Sequence, residues 1–178
     1  SPEPKGSTMP FTDVASGSYC EKAVLWAVEN GITNGTTETT FSPNAGCTRA
    51  QIVALIFRSQ QGTPAAGDLP FTDVPAWAYD AIAWSYQQGI VKGTTETTFS
   101  PNKACTRGEI VTLLFRSQNA SAGTQANPFK DVPAGKFYTD AVLWAVEAGV
   151  TKGYTADTFR PDMSCNRAQI VTFLWRLL

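Results

Sequence analysis

The sequence of 178 residues contains no histidine. Histidine is the commonest general base near neutral pH and the commonest metal ligand, so its absence argues against many catalytic and metal sites. Cysteine does not replace it as a ligand, because Cys47, Cys105 and Cys165 stand 58 and 60 residues apart, without the paired spacing of a zinc site. We therefore predict no bound metal and no cofactor. A disulfide between Cys20 and Cys47 would suit an exported protein, but the sequence alone leaves it open.

An excess of charge and a long apolar run are also missing. The net charge is −1, whereas nucleic acids and anionic membranes require a basic surface, so we predict neither as a partner. No apolar segment approaches the roughly 18 to 20 residues that cross a bilayer, which predicts no membrane insertion. A signal peptide is not recognisable, so an exported protein would have lost it or carried it outside this sequence.

Motifs of catalysis are absent as well. The sequence has no Gly-x-Ser-x-Gly, P-loop or dinucleotide-binding pattern. Glycoside hydrolysis needs two placed carboxylates. The recurring Asp13, Asp73 and Asp131 each precede a valine near the start of a helical unit, where capping or ion pairing is the commoner role. We therefore predict that the chain is not an enzyme.

What the sequence does contain is one unit repeated three times. The decapeptide GTTETTFSPN occupies 35–44 and 93–102, and the related GYTADTFRPD occupies 153–162. Small and polar residues between the units are typical of linkers. The predicted boundaries are an N-terminal linker or expression remnant at 1–9, repeat 1 at 10–60, a linker at 61–69, repeat 2 at 70–118, a linker at 119–127 and repeat 3 at 128–178.

Each unit predicts two helices joined by a loop rich in glycine and threonine. In repeat 1 the first helix covers roughly 19–30, with apolar residues at helical spacing, and Gly31 ends it. The second helix covers 49–59 and is nearly all apolar, which predicts burial. One unit is too small to bury both helices, so the three should share a core. The predicted fold class is mainly α, built from three helix-loop-helix repeats.

The start of the second helix carries the most informative residues. Thr48 and Gln51 fit a capping box, but Arg49 stands at the first helical position, where the helix dipole disfavours a cation. Arg107 and Arg167 occupy the same place in the other repeats. An arginine beside exposed helix N–H groups suits a carboxylate or phosphate ligand. The alternative is an internal ion pair with one of the recurring aspartates.

The order of these motifs resembles the S-layer homology domain. Phe-x-Asp-Val, a helix with Ala-hydrophobic-x-Trp, Gly-[Ile/Val]-x-x-Gly, Phe-x-Pro and Thr-Arg-Ala-Gln, with small variations, follow one another three times within 10–178. The resemblance implies a pseudo-threefold bundle that attaches proteins to bacterial secondary cell-wall polymers, often bearing pyruvylated sugars. It also implies grooves between neighbouring repeats, in which Arg49, Arg107 and Arg167 contact the acidic sugar.

The sequence departs from the family pattern at a few positions, and the tryptophans and loop glycines are further candidates for the site. The family's usual glutamate is glutamine in repeats 1 and 3, and Gly108 replaces its alanine in repeat 2. The tryptophans are equally compatible with a sugar platform and with core packing, and the loop glycines with ligand contact and with a tight turn. The predicted ligand-binding residues are Arg49, Arg107, Arg167, Trp26, Trp84, Trp144, Gly35, Gly93, Gly153, Lys92, Lys152, Gln51, Glu109 and Gln169.

The leading functional hypothesis is non-covalent anchoring at the cell surface. An acidic, for example pyruvylated, wall polysaccharide would bind in the grooves, and a cargo domain outside this sequence would be held at the wall. The predicted location is accordingly secreted, at the cell wall or surface layer. One alternative is a self-assembly module of a surface layer, in which the arginines form only internal pairs. Another is a polysaccharide-processing enzyme.

Overall fold

The computed structural model describes residues 1–6, 8–65 and 67–178. Within them the chain forms six α-helices and no strand, which confirms the mainly helical fold class. None of these helices is long and apolar enough to pass through a bilayer. The helices are α1 Glu21–Glu29, α2 Arg49–Ser59, α3 Tyr79–Gln87, α4 Arg107–Ser117, α5 Thr139–Glu147 and α6 Arg167–Leu177, with a 3-10 turn at Ala76–Ala78 before α3.

The second helices α2, α4 and α6 begin at sharply defined residues because their N-caps are complete. Thr48, Thr106 and Asn166 each accept a hydrogen bond from the backbone N–H of the third helical residue. The side chain of that third residue accepts a bond from the backbone N–H of the cap. All three repeats therefore carry a capping box, in agreement with the sequence pattern.

The first helices α1, α3 and α5 have weaker starts. No side chain caps them, and α1 begins at Glu21 rather than at Tyr19. Their ends are well defined, because the glycine that follows adopts the left-handed conformation, with φ of +67° at Gly31. A residue with a Cβ is disfavoured in that conformation, so the glycine ends the helix as predicted.

The repeats are joined in a ring. α2 packs on α3, α4 on α5 and α6 on α1, so the second helix of each repeat lies against the first helix of the next. α2 also contacts α4 and α6, which places the apolar second helices at the centre. Their buried side chains, among them Ile52, Ile110 and Ile170, belong to one continuous core. The three repeats therefore share a core, as the sequence predicts.

Backbone hydrogen bonds at the centre follow a threefold pattern. The N–H of Cys47 donates to the carbonyl of Cys165, that of Cys105 to Cys47, and that of Cys165 to Cys105, with N···O distances of 3.4, 3.4 and 3.2 Å. Such a closed triangle places the cysteines around a pseudo-threefold axis. All four thiols are buried and free, so Cys20 and Cys47 form no disulfide. Burial raises the pKa of Cys105 and Cys165 to about 12, which keeps both protonated.

The N-terminal segment lies between α6 and α1. The indole N–H of Trp175 donates to the carbonyl of Pro2 at 2.6 Å, and the backbone N–H of Lys5 donates to the carboxylate of Glu29 at 2.7 Å. In the linker before repeat 3, the backbone N–H of Thr124 donates to Glu147, the residue that corresponds to Glu29. The segment therefore occupies the place that a linker between repeat 3 and repeat 1 would take.

Candidate ligand-binding grooves

Three grooves, related by the pseudo-threefold axis, lie between the repeats and have volumes of about 320, 240 and 190 Å³. We name each after the arginine at the first position of a second helix. The Arg107 groove is lined by Tyr19, Arg107, Thr151, Gly153, Tyr154, Gln169, Thr172, Phe173 and Arg176. The Arg167 groove is lined by Thr33, Asn34, Gly35, Gln51, Ala54, Leu55, Arg58, Trp77 and Arg167. The Arg49 groove is lined by Arg49, Lys92, Gly93, Glu109, Thr112, Leu113, Arg116 and Phe137.

All three repeats contribute to every groove. In the Arg167 groove, Arg167 comes from repeat 3, Gly35 and Gln51 come from repeat 1, and Trp77 comes from repeat 2. The other two grooves follow the same cyclic order. A groove is therefore complete only when the ring of repeats is assembled.

The N-terminal N–H groups of the second helices are already occupied. The backbone N–H of Arg107 donates to the carbonyl of Met163 at 2.9 Å, and that of Gly108 donates to Pro161 at 2.8 Å. The other two second helices make the same pair of bonds to the next repeat. The expectation of free helix N–H groups for a ligand is therefore wrong, since these groups hold neighbouring repeats together.

The groove arginines themselves bridge neighbouring repeats. Nε of Arg107 donates to the carbonyl of Phe159 at 2.8 Å, and the guanidinium lies 4.7 Å from the centre of the Phe159 ring. Burial lowers the pKa of this guanidinium, yet arginine stays protonated. The counterparts are Arg49 with Phe99 and Arg167 with Phe41. Each of the three arginines is at most 9% exposed and lines one groove.

The recurring aspartates do not pair with these arginines. The carboxylate of Asp13 accepts the backbone N–H groups of Phe41 and Ser42, both at 2.8 Å. Asp73 and Asp131 make the same two bonds in repeats 2 and 3. Within the described residues, the cation of every salt bridge shorter than 4.0 Å is a lysine, and none is an arginine. The internal ion pair considered from the sequence is therefore not formed.

Aspartate and arginine are connected through the loop instead. Ser42 has φ of +58°, an uncommon conformation for a residue with a side chain, and Asp13 holds it by the bond to its N–H. The carbonyl of the adjacent Phe41 accepts the bond from Nε of Arg167. Burial alone would raise the pKa of Asp13, but the two backbone donors lower it. The ionised aspartate therefore fixes the loop that positions the arginine.

A second arginine in each groove escaped the sequence interpretation. Arg58, Arg116 and Arg176 lie in the last turn of α2, α4 and α6 and line the three grooves. The signal was present in the sequence, because each follows the first groove arginine by nine residues. Every groove therefore presents two guanidinium groups that have no carboxylate partner within the described residues.

The predicted capping residues also line the grooves, with unequal charge. Gln51 and Gln169 are neutral, whereas Glu109 carries a carboxylate into the Arg49 groove. That carboxylate accepts Nζ of Lys103 at 2.6 Å and the backbone N–H of Thr106 at 3.0 Å. Burial alone would raise the pKa of Glu109, but these contacts lower it. Its charge is therefore largely neutralised from outside the groove.

The predicted loop residues lie at the groove walls. Gly35, Gly93 and Gly153 line one groove each. A Cβ on Gly153 would lie 2.5 Å from the Phe129 ring, and its φ of +95° suits only glycine. Gly35 and Gly93 are equally crowded, because an added Cβ would lie 2.4 Å from the Phe11 ring and 2.5 Å from the Phe71 ring, so none of the three positions has room for a side chain. Lys92 lines the Arg49 groove, whereas Lys152 is exposed and is not among the wall residues of the Arg107 groove.

The predicted tryptophans lie in the packing between repeats. Trp26 is 6% exposed, while Trp84 packs edge-on against Phe57 and Trp144 against Phe115, with ring centres 5.5 and 5.6 Å apart. None of the three is among the wall residues of the described grooves. The geometry supports core packing, which the sequence left as one of two alternatives, and gives no support to a ligand contact.

A family model for the S-layer homology domain matches residues 10–53, 70–111 and 128–171. The chain belongs to the S-layer homology domain family. The three matches coincide with the three repeats of the ring, so one S-layer homology array supplies all three grooves. Membership in this family, together with the similarity to surface-layer proteins, indicates a location at the cell surface or cell wall and a role in anchoring there.

Similar proteins include both enzymes and surface proteins. The S-layer homology chain is 31% identical to an endoglucanase of Bacillus sp. (strain KSM-635), over 98% of this chain and 20% of the relative. It is 31% identical to a cellulosome-anchoring protein of Acetivibrio thermocellus, over 78% of this chain and 33% of the relative. It is 25% identical to an S-layer protein of Bacillus thuringiensis subsp. finitimus, over 92% of this chain and 21% of the relative. The chain thus spans a third or less of each.

Proposed function

We propose that this chain anchors a larger protein by holding acidic groups of a wall polysaccharide in its grooves. The observation that carries the proposal is the pair of guanidinium groups in each groove, which lack a carboxylate partner among the described residues. The first arginine of each pair is buried, whereas Arg58 and Arg116 are exposed. A buried cation is stabilised when an anion binds it, and guanidinium binds carboxylates through two parallel hydrogen bonds. The carboxylate of a pyruvylated or other acidic sugar has the matching charge and shape.

Binding of this kind involves no bond cleavage, and we infer that the chain has no catalytic role. The enzymes among its relatives support this division, because the chain spans only 20% of the endoglucanase. A cellulosome-anchoring protein and S-layer proteins match it as well. These matches support an attachment module that is shared by proteins of different kinds.

The second arginines give the clearest test, because their structural role is small. Arg58 donates one long bond, 3.3 Å, to the carbonyl of Ile32, whereas the first arginines bridge the repeats. We expect the variant Arg58→Ala/Arg116→Ala/Arg176→Ala to stay folded and to lose at least about tenfold in affinity for purified wall sacculi, since a hydrogen bond to a charged group contributes about 1.5–3 kcal/mol. Co-sedimentation with sacculi measures the binding.

The matched control removes three positive charges outside the grooves, in the variant Lys5→Ala/Lys22→Ala/Lys130→Ala. It should bind sacculi like the unmodified chain. Sacculi stripped of their secondary polymer by mild acid should bind neither protein. Equal binding by the triple arginine variant would place the ligand outside the grooves. Undiminished binding to stripped sacculi would favour a self-assembly or peptidoglycan contact instead.

A further inference from the structure

Each groove has an exposed aromatic ring at the same place in its wall, and the Arg107 groove has a second one, Tyr154, in its loop. Tyr19, Trp77 and Phe137 are 60, 61 and 64% exposed and line the Arg107, Arg167 and Arg49 grooves respectively. Each stands seven residues before the tryptophan of its repeat, so the three positions correspond. Single exposed aromatics are ordinary on a protein surface, but three at equivalent places in three grooves are a repeated feature.

These rings are poorly explained by folding. They lie just before α1, α3 and α5, and most of their surface remains in water, so they contribute little to the core. The ring-to-ring contact of Phe137 is with Tyr138, its own neighbour in sequence. The ring type also differs among the repeats, whereas an aromatic ring is present in all three.

The side chains beside each ring are of the kinds that suit a carbohydrate ligand. The arginines supply charge at one wall, and the aromatic residue, which comes from a different repeat, supplies an apolar face at another. A pyranose ring has the complementary pair of surfaces, because one face presents mostly C–H groups and the substituents are polar or acidic. Aromatic side chains bury large apolar area while losing little conformational freedom, which makes them effective contact residues.

We propose that Tyr19, Trp77 and Phe137 are sugar-stacking residues that make the three grooves unequal. Each ring packs on the C–H face of a pyranose whose acidic group, or that of the adjoining sugar, is held by the arginines. The proposal rests on the proposed polysaccharide binding. Indole offers the largest face, and Trp77 shares its groove with neutral Gln51 rather than with a glutamate. The Arg167 groove is therefore the tightest of the three.

Trp77 provides a direct optical test. It is 61% exposed, whereas Trp26 is 6% exposed and Trp84, Trp144 and Trp175 are partly buried against the core. Stacking on a sugar transfers the Trp77 indole out of water, so soluble wall polymer released from sacculi should shift the fluorescence emission to shorter wavelength. The variant Trp77→Phe should bind the same polymer with no such shift.

Affinity measurements complete the test. Trp77→Ala should lower the affinity of the Arg167 groove for released wall polymer by about two- to tenfold, the range that aromatic contacts supply. The variant Tyr19→Ala/Trp77→Ala/Phe137→Ala should lose co-sedimentation with sacculi, and Phe137→Trp should bind more tightly than the unmodified chain. The control Tyr79→Ala/Tyr86→Ala removes two rings that are 37 and 39% exposed and line none of the three grooves.

The outcomes separate the two proposals. Wild-type binding by the triple aromatic variant, with loss of binding in the triple arginine variant, would overturn the stacking role and leave the acidic-sugar site intact. An emission shift that persists in Trp77→Phe would likewise overturn it. Failure of the unmodified chain to bind either sacculi or released polymer would overturn both proposals.

Discussion

At the scale of single residues, the groove arginines combine a structural contact with a place in the groove wall, which the sequence presented as alternatives. Arg107 bonds to a backbone carbonyl of the next repeat and stacks on Phe159, and it also faces the groove. A cation at the first position of a helix loses about 0.3–1 kcal/mol to the dipole. A hydrogen bond from a charged donor contributes about 1.5–3 kcal/mol, so the structural role outweighs the unfavourable position.

The first prediction follows from that balance. Arg107→Ala should lower the free energy of unfolding by about 1–3 kcal/mol, whereas the helix position alone would predict a small gain. Arg107→Lys should recover only part of the loss, because an ammonium group cannot reproduce the planar contact with Phe159. Urea unfolding followed by circular dichroism measures both. Unchanged stability of Arg107→Ala would show that the bridge to Phe159 contributes nothing to folding.

The second prediction concerns acid. Burial would raise the pKa of Asp13 and Asp73, but backbone donors lower both below the ordinary value of 3.8. The unfolded chain therefore binds protons more readily than the folded chain. The stability that these carboxylates contribute is complete above pH 3.8 and is lost as the pH falls through their lower folded values.

Melting temperatures at pH 7 and below pH 3.8 measure this effect. Asp73→Asn should melt lower than the unmodified chain at pH 7, by an amount equivalent to about 1–2 kcal/mol after allowance for its partial exposure. The difference between the two proteins should shrink in acid. A difference that stays constant with pH would mean that the charge of Asp73 is not what holds the loop.

At the scale of helices and loops, the sequence predicted what depends on neighbours along the chain. The capping residues Thr48 and Gln51 fixed the start of α2, and Gly31 marked the end of α1, because both signals act within a few residues. The Asp13 bonds to Phe41 and Ser42 span 28 and 29 residues, and no local pattern specifies them. They form because the folded chain places the loop at 41–42 beside the segment at 11–14.

The groove residues also fall into those that the sequence predicted and those that it did not. The arginine at the helix start was predicted as a ligand contact because it contradicted a local rule. Arg58 lies in the last turn of α2, where a cation is favourable, and Tyr19 differs in type from its counterparts Trp77 and Phe137, so no local pattern marks either as a ligand contact. The tryptophans recur at the same place in each repeat because Trp84 and Trp144 pack against Phe57 and Phe115 of the preceding repeat and Trp26 is buried.

The third prediction concerns Gly108, the one departure from alanine at the second helical position. A Cβ there would lie 3.0 Å from the ring of Tyr138 and 3.2 Å from the carbonyl of Pro161. At the equivalent position of repeat 3, Ala168 donates its backbone N–H to the carbonyl of Pro43, so an alanine is compatible with such a carbonyl. The difference lies in the ring, because repeat 1 has Cys20 where repeat 3 has Tyr138.

Alanine is favoured over glycine in a helix by about 0.5–1 kcal/mol. Gly108→Ala should therefore stabilise the Tyr138→Cys variant by about that amount, and should stabilise the unmodified chain by less or destabilise it. Thermal unfolding of the four proteins gives the coupling between the two positions. Equal effects of Gly108→Ala in both backgrounds would mean that the Tyr138 ring yields without cost.

At the scale of the whole molecule, the fold depends on contacts between repeats. α2 lies against α3 of the next repeat, and the start of α2 is bonded to a loop of that same repeat. A single repeat therefore lacks the surface that covers its most apolar helix. Quasi-repetitive proteins normally need several units before any of them is stable.

The fourth prediction tests that dependence. The isolated segment 10–60 should show no cooperative thermal transition, because α2 has lost its partner helix and the carbonyls that receive its first N–H groups. The full chain under the same conditions is the control and should unfold in one step. A cooperative transition in the fragment would show that one repeat holds its own core.

The position of the N-terminal segment, between α6 and α1, bears on whether the order of the repeats along the chain matters for the fold. Pro2 is bonded to Trp175, and Lys5 is bonded to Glu29, so the segment before repeat 1 lies where a linker from repeat 3 would run. The ring then has no structurally privileged first repeat. We therefore expect that joining Leu178 to Ser1 through a short flexible peptide and opening the chain within 61–69 will give a circular permutant that starts at repeat 2 and retains the same three grooves.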